Sequence, residues 1–194
     1  MKYLKWLKAN SITLGEDDLS GPISFVIKEQ LTSGPEESGP LFEADRPAPN
    51  EQEVDNALNV AATTRALIIE LVTNTPAHLH KQAVKQGDWS LIQNLQHIME
   101  IENWYVSRLD EHPNLLTSIP LVETDTLVMK IFEDAMDHEV VLHEMEPEKR
   151  GQVFLHEGEE WTAAKVMRRL TQHLSEHYLS MVEIVNQLSV KKTM

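Results

Sequence analysis

From Asn50 onward the apolar residues of this chain recur at helical spacing. Val54, Leu58, Ala61, Ile68 and Val72 fall on one face of a segment that opens with Asn50, carries Glu53 three residues later and stops before Pro76. A second segment opens at Ser90, with Gln93 at the matching position, and places Leu91, Leu95, Ile98, Glu102, Tyr105, Val106 and Leu109 together ahead of Pro113. In the third, Thr124 or Thr126 is the expected cap, and Leu127, Ile131, Ala135, His138, Leu142 and Met145 form the face that Pro147 and Gly151 close. A fourth starts at Thr162 and aligns Ala163, Met167, Leu170, Leu174, Tyr178, Met181, Val185 and Leu188. Four amphipathic helices of about 20 residues predict an all-α chain in which the apolar stripes bury one another as a four-helix bundle.

The stretch before Asn50 reads differently. Pro22, Pro35, Pro40, Pro47 and Pro49, with Gly15, Gly21, Gly34 and Gly39, punctuate it as irregular chain. Tyr3, Leu4, Trp6 and Leu7 suit a short helical turn, and residues 23–29 read as one β-strand of mixed burial. A lone strand is not stable in water, so this arm has to pack on the main domain or on another subunit. The expected organisation is an arm over 1–49 and a helical domain over 50–194.

Composition narrows the function. With 41% hydrophobic and 25% charged residues, the 194-residue chain is of ordinary globular type. Its formal charge of −14 opposes phosphate backbones and anionic lipid surfaces, so neither nucleic acid nor membrane is an expected partner. The absence of cysteine excludes disulfides, a thiolate nucleophile and cysteine metal ligands. There is no apolar run of about 18 residues and no signal-peptide core, which leads to the expectation of a cytoplasmic protein.

The candidate chemistry lies in histidines. At 100° per residue His177 falls inside the apolar stripe of the fourth helix and His173 at its edge one turn earlier, so both imidazoles can reach a common ion. His97 lies away from the main stripe of the second helix. Ile101 and Trp104 flank it on that side, which predicts that this helix buries more than one stripe. Against this stands the plainer reading of each as a core or surface histidine bonded to backbone, which for a solitary His-x3-His weighs more. His138 is the rival ligand on the third helix, although the reading as a hydrogen-bonded core histidine weighs more. No Glu-x-x-His pair repeats on two helices as a di-iron bundle requires, and no phosphate loop or serine-hydrolase elbow is present. The shared starts Asp88-Trp89-Ser90 and Glu160-Trp161-Thr162 have a structural explanation, a bulky residue stapling the incoming chain.

Taken with their neighbours, these residues resemble the DinB-like superfamily of metal-binding four-helix bundles, which includes thiol-dependent S-transferases. The likeness rests on Asp88 to His97, on Glu102-Asn103-Trp104-Tyr105, and on Trp161-Thr162 leading to His173-Leu174-Ser175-Glu176-His177, and it spans roughly residues 50–190. It implies an up-down-down-up bundle with its long link over 113–125. It also implies a divalent metal ion, commonly zinc or nickel, on His97, His173 and His177. Glu102 and Glu176 are the candidates for orienting the ligating imidazoles. The arm resembles, more weakly, the linker of proteins in which a HicB-like segment precedes a DinB-like bundle, through Tyr3 to Leu7 and Leu41 to Arg46.

The resemblance implies a metal-dependent transferase in which the ion activates a low-molecular-weight thiol cosubstrate toward an electrophile. The alternative is a non-catalytic metal-binding protein, linked to stress or to interaction, in which the ion only ties helices together. Bundles of this kind often pair, so a homodimer is a further expectation.

Overall fold

The computed structural model describes residues 29, 38–111 and 122–191. The expected turn at Tyr3 to Leu7, all of the expected strand but Glu29, and most of the 113–125 link lie outside them. The described chain is mostly helical. Its long helices are α1 (Glu51–Thr73), α2 (Leu91–Ser107), α3 (Thr124–Glu144) and α4 (Ala163–Lys191). Among these residues no helix is long and apolar enough to cross a membrane.

Three helix starts follow their sequence signals. Asn50 Oδ1 accepts the Glu53 N–H at 3.0 Å while Glu53 Oε2 accepts the Asn50 N–H at 2.9 Å, a reciprocal cap. Ser90 and Gln93 repeat it on α2. Thr162 Oγ1 accepts the Lys165 N–H at 3.1 Å and donates to the Asp45 carbonyl at 2.7 Å, so one hydroxyl both caps α4 and fastens the arm. The third helix corrects the expectation of a threonine cap. Its N-cap is Glu123, which makes no side-chain cap bond, and the Thr124 hydroxyl is engaged with His80 Nδ1 at 3.0 Å instead.

The helices close a ring of packing, α1 on α4, α4 on α2, α2 on α3 and α3 on α1. Their apolar residues divide into two clusters. One holds Ala61, Ile68, Leu91, Leu95, Ile98, Leu127, Leu174 and Met181, and the other Val54, Ile101, Tyr105, Leu142, Trp161, Val166 and Leu170. Polar side chains pair between the helices. Arg65 Nε donates to Glu102 Oε2 at 3.0 Å, its Nη2 lies 3.0 Å from the same oxygen, and both side chains are buried. His138 bonds Asn103 Oδ1 through Nε2 at 2.9 Å, and Asn103 Nδ2 donates to Asp134 Oδ2 at 2.7 Å. As expected, α2 is buried on more than one stripe, with Leu91, Ile92, Leu95, Gln96, Ile98, Met99 and Ile101 all inside.

Two features were not anticipated from the pattern. Between α3 and α4, a one-turn helix (Pro147–Arg150) leads into a hairpin of β1 (Phe154–His156) and β2 (Glu159–Trp161), antiparallel with Phe154 opposite Trp161. Its turn puts both Glu157 (φ 56°) and Gly158 (φ 86°) in the left-handed region. That geometry favours Asn-Gly or Asp-Gly, so Glu-Gly is a faint signal for it. The second feature is on α3, where Met129, Phe132, Met136 and Val140 stand exposed on the side opposite buried Leu127, Ile131, His138 and Leu142.

The described end of the arm packs on the helical domain. Asp45 is buried and takes Arg168 Nη2 at 2.7 Å and Nε at 2.9 Å, while the Arg168 guanidinium lies 4.7 Å over the Phe42 ring.

Candidate metal centre

The fourth helix sets the first two groups of the site. His173 and His177 are one turn apart on α4, with ring centroids 4.4 Å from each other. From α2, His97 comes to 5.0 Å from the His173 ring and 4.9 Å from the His177 ring. One nitrogen of each imidazole lies within 4.8 Å of the others. His97 Nε2 and His173 Nε2 are 3.1 Å apart. Imidazole nitrogens held about 2.0 to 2.1 Å from a tetrahedral ion stand about 3.3 Å from each other, so this pair is spaced to share one.

Asn94 positions the third imidazole. Its Nδ2 donates to the Ser90 carbonyl at 2.9 Å, which leaves Oδ1 to accept from His177 Nδ1 at 2.8 Å. His177 is thereby fixed as the Nδ1–H tautomer, with the Nε2 lone pair left for a ligand. Trp89, the residue before the α2 cap, covers the cluster. Its ring meets His97 edge-on at 4.6 Å and stacks on His177 at 6.0 Å, yet it stays 43% exposed. On the inner side Tyr105 meets the His173 ring edge-on at 5.7 Å, and Arg169 Nη2 donates to the Tyr105 hydroxyl at 2.9 Å.

The electrostatics suit ligation. Burial, followed by the neighbouring His177 and His97 rings and Arg169, pushes the His173 imidazole far below the ordinary histidine range. Burial, followed by His97, lowers His177 to about 4. Both rings are neutral at neutral pH, the form that binds a cation. The inner nitrogen of His173, Nδ1, is buried with no hydrogen-bond partner among the described residues.

His97, His173 and His177 are thus brought together, while the other candidates lie elsewhere. The carboxylate of Glu102 bonds Arg65, and that of Glu176 accepts from Gln172 at 2.7 Å on its own helix. Neither makes a hydrogen bond to a ligand imidazole; Asn94, which sequence reasoning missed, bonds His177. Asn94 precedes His97 by three residues on α2, so the shared helix face was the available signal. The rival His138 is engaged by Asn103, and among the described residues no fourth histidine, aspartate or glutamate joins the group.

A cleft of about 440 Å³ borders the cluster, with His177, Trp89, Asn94, Val84 and Ile184 in its wall. In comparisons with known proteins, the chain matches no family model, no curated protein and no solved structure.

Proposed function

We propose that His97, His173 and His177 hold one divalent ion, zinc or nickel, within a DinB-like four-helix bundle of up-down-down-up order. The observation that carries this reading is the convergence of three imidazole nitrogens from two helices within 4.8 Å, with no protein carboxylate or fourth histidine among the described residues to close the set. Such a donor set leaves a coordination position for an exogenous molecule, as catalytic sites do.

In this reading the protein is a metal-dependent transferase that takes a low-molecular-weight thiol as cosubstrate and an electrophile as acceptor. The ion supplies Lewis acidity, which lowers the pKa of a coordinating thiol. The chain's own residues do the positioning. Asn94 holds His177 in its ligating tautomer, and the Trp89 ring shields His97 and His177 from bulk water. With no cysteine in the chain, the sulfur nucleophile comes from outside.

Metal analysis of protein purified without chelators tests the site. One ion per chain, lost in His173→Ala, is the expected result. Metal-free wild type, together with a His173→Ala variant of unchanged stability, overturns it. The transferase is tested on metal-loaded protein with a panel of thiols and a chlorinated aromatic electrophile. Conjugate formation with at least one thiol is expected. Absence of turnover at full occupancy overturns the transferase in favour of a non-catalytic metal-binding role.

A further inference from the structure

The cleft beside His177 has a composition that the metal reading does not require. Val84, Ile184 and the exposed part of Trp89 supply its apolar lining, Ser180 and Gln187 add neutral polar groups, and the exposed Asp88 and Glu183 bring carboxylates. No lysine or arginine lines it among the described residues. Both carboxylates take their hydrogen bonds from neutral donors, Asp88 from the Lys85 backbone N–H at 3.1 Å and Glu183 from the Gln187 amide at 2.6 Å. Among the described residues neither carboxylate has an ion-pair partner, so two negative charges stand in the wall of an otherwise neutral cleft, in a chain whose net charge of −14 adds to the same field. Trp89, also in this lining, adds an electron-rich ring, a further attraction for a cation.

We propose that this cleft binds an organic cation with an apolar body, a substituted ammonium whose hydrocarbon part lies against Val84, Ile184 and Trp89 and whose charge sits between Asp88 and Glu183. The proposal deepens the function above, and rests on it in one respect: because His177 lines the same cleft, the molecule admitted to the imidazoles is cationic or neutral, an aminothiol rather than a carboxylate-bearing thiol. Anionic thiols meet like charge before they reach the cluster, and the penalty falls as salt screens it.

Calorimetric titration of the metal-free full-length chain with 2-phenylethylammonium and with 3-phenylpropionate tests the cleft, since the two probes share an apolar ring and differ in the sign of charge. At low ionic strength the ammonium is expected to bind at least tenfold more tightly. The ratio should shrink in high salt and approach unity in the double variant D88N/E183Q, whose positions are exposed and whose circular dichroism should match wild type. Trp89→Phe should weaken ammonium binding several-fold. Equal binding of the two probes by wild type, a preference unchanged in D88N/E183Q, or an affinity unchanged in Trp89→Phe overturns the proposal. Metal content is read separately. A chain that takes up no ion but keeps the ammonium preference refutes the metal reading while leaving the cleft assignment standing.

Discussion

His177 on α4 donates its Nδ1 hydrogen to Oδ1 of Asn94 on α2 over 2.8 Å, and Asn94 is itself turned by its bond to the Ser90 carbonyl. The start of one helix thus dictates which nitrogen of an imidazole on another is available for binding. Replacing Asn94 by Ala removes that restraint without touching a ligand. Metal affinity, measured by competition with a chromophoric chelator, should fall about 10- to 100-fold, the usual effect of losing such a partner. Asn94→Asp keeps an acceptor at the same place and should retain most of the affinity. Equal affinities for wild type and Asn94→Ala would remove the positioning role.

The Arg65–Glu102 pair makes a separate prediction. Both side chains are buried, and burial raises the Glu102 pKa with Arg65 acting against it. Arg65→Met leaves the carboxylate unpaired and should cost about 3 to 5 kcal/mol in urea denaturation, whereas the double variant R65M/E102L should recover most of that loss. Metal affinity of the double variant should stay near wild type, because Glu102 bonds Arg65 and makes no hydrogen bond to the imidazoles.

His138 supplies a pH dependence. Its Nε2–H is given to Asn103, its Nδ1 is buried with no hydrogen-bond partner among the described residues, and burial, then the Arg65 charge, lowers its pKa to about 4 from an ordinary 6.5. Between those values the unfolded chain binds the proton and the folded one does not, so stability should fall as pH drops from 6.5 towards 4 and level off below. The shift bounds the loss at roughly 3 kcal/mol. Denaturation of wild type and His138→Gln at pH 7 and pH 4.5 isolates it, since other groups titrate alike in both. Identical pH responses would contradict the assignment.

The arm is fastened at Asp45, which takes the Arg168 guanidinium and the Phe42 N–H at 2.9 Å. Asp45→Ala should cost about 1 to 3 kcal/mol, as expected for charge-assisted bonds to a mostly buried group. It should also speed proteolytic cleavage ahead of Asn50. A cleavage rate unchanged from wild type would show that the arm is held by other contacts.

The sequence by itself determined the helices and part of the site, because both are written in local periods. Caps at Asn50, Ser90 and Thr162 and stripes of apolar residues at helical spacing are relations between neighbours, and they stand in the structure. So does the pairing of His173 with His177, since four residues along a helix return to the same side. The meeting of that pair with His97 is a relation across 76 positions. Only the packing of α2 on α4 decided it. Helical rotation also explains why Glu102 does not bond a ligand imidazole: at 100° per residue it lies about 140° from His97, whereas Asn94 lies about 60° away. What the rotation leaves open is the partner each side chain finds there, Arg65 for Glu102 and His177 for Asn94. On α3 the helical period picked out the stripe of Leu127, Ile131 and Leu142, and it left unread a second apolar stripe on the opposite side. Tertiary packing buried Leu127, Ile131 and Leu142 and left Met129, Phe132 and Met136 in solvent, because a helix at the rim of the ring of contacts has only one face turned to its neighbours.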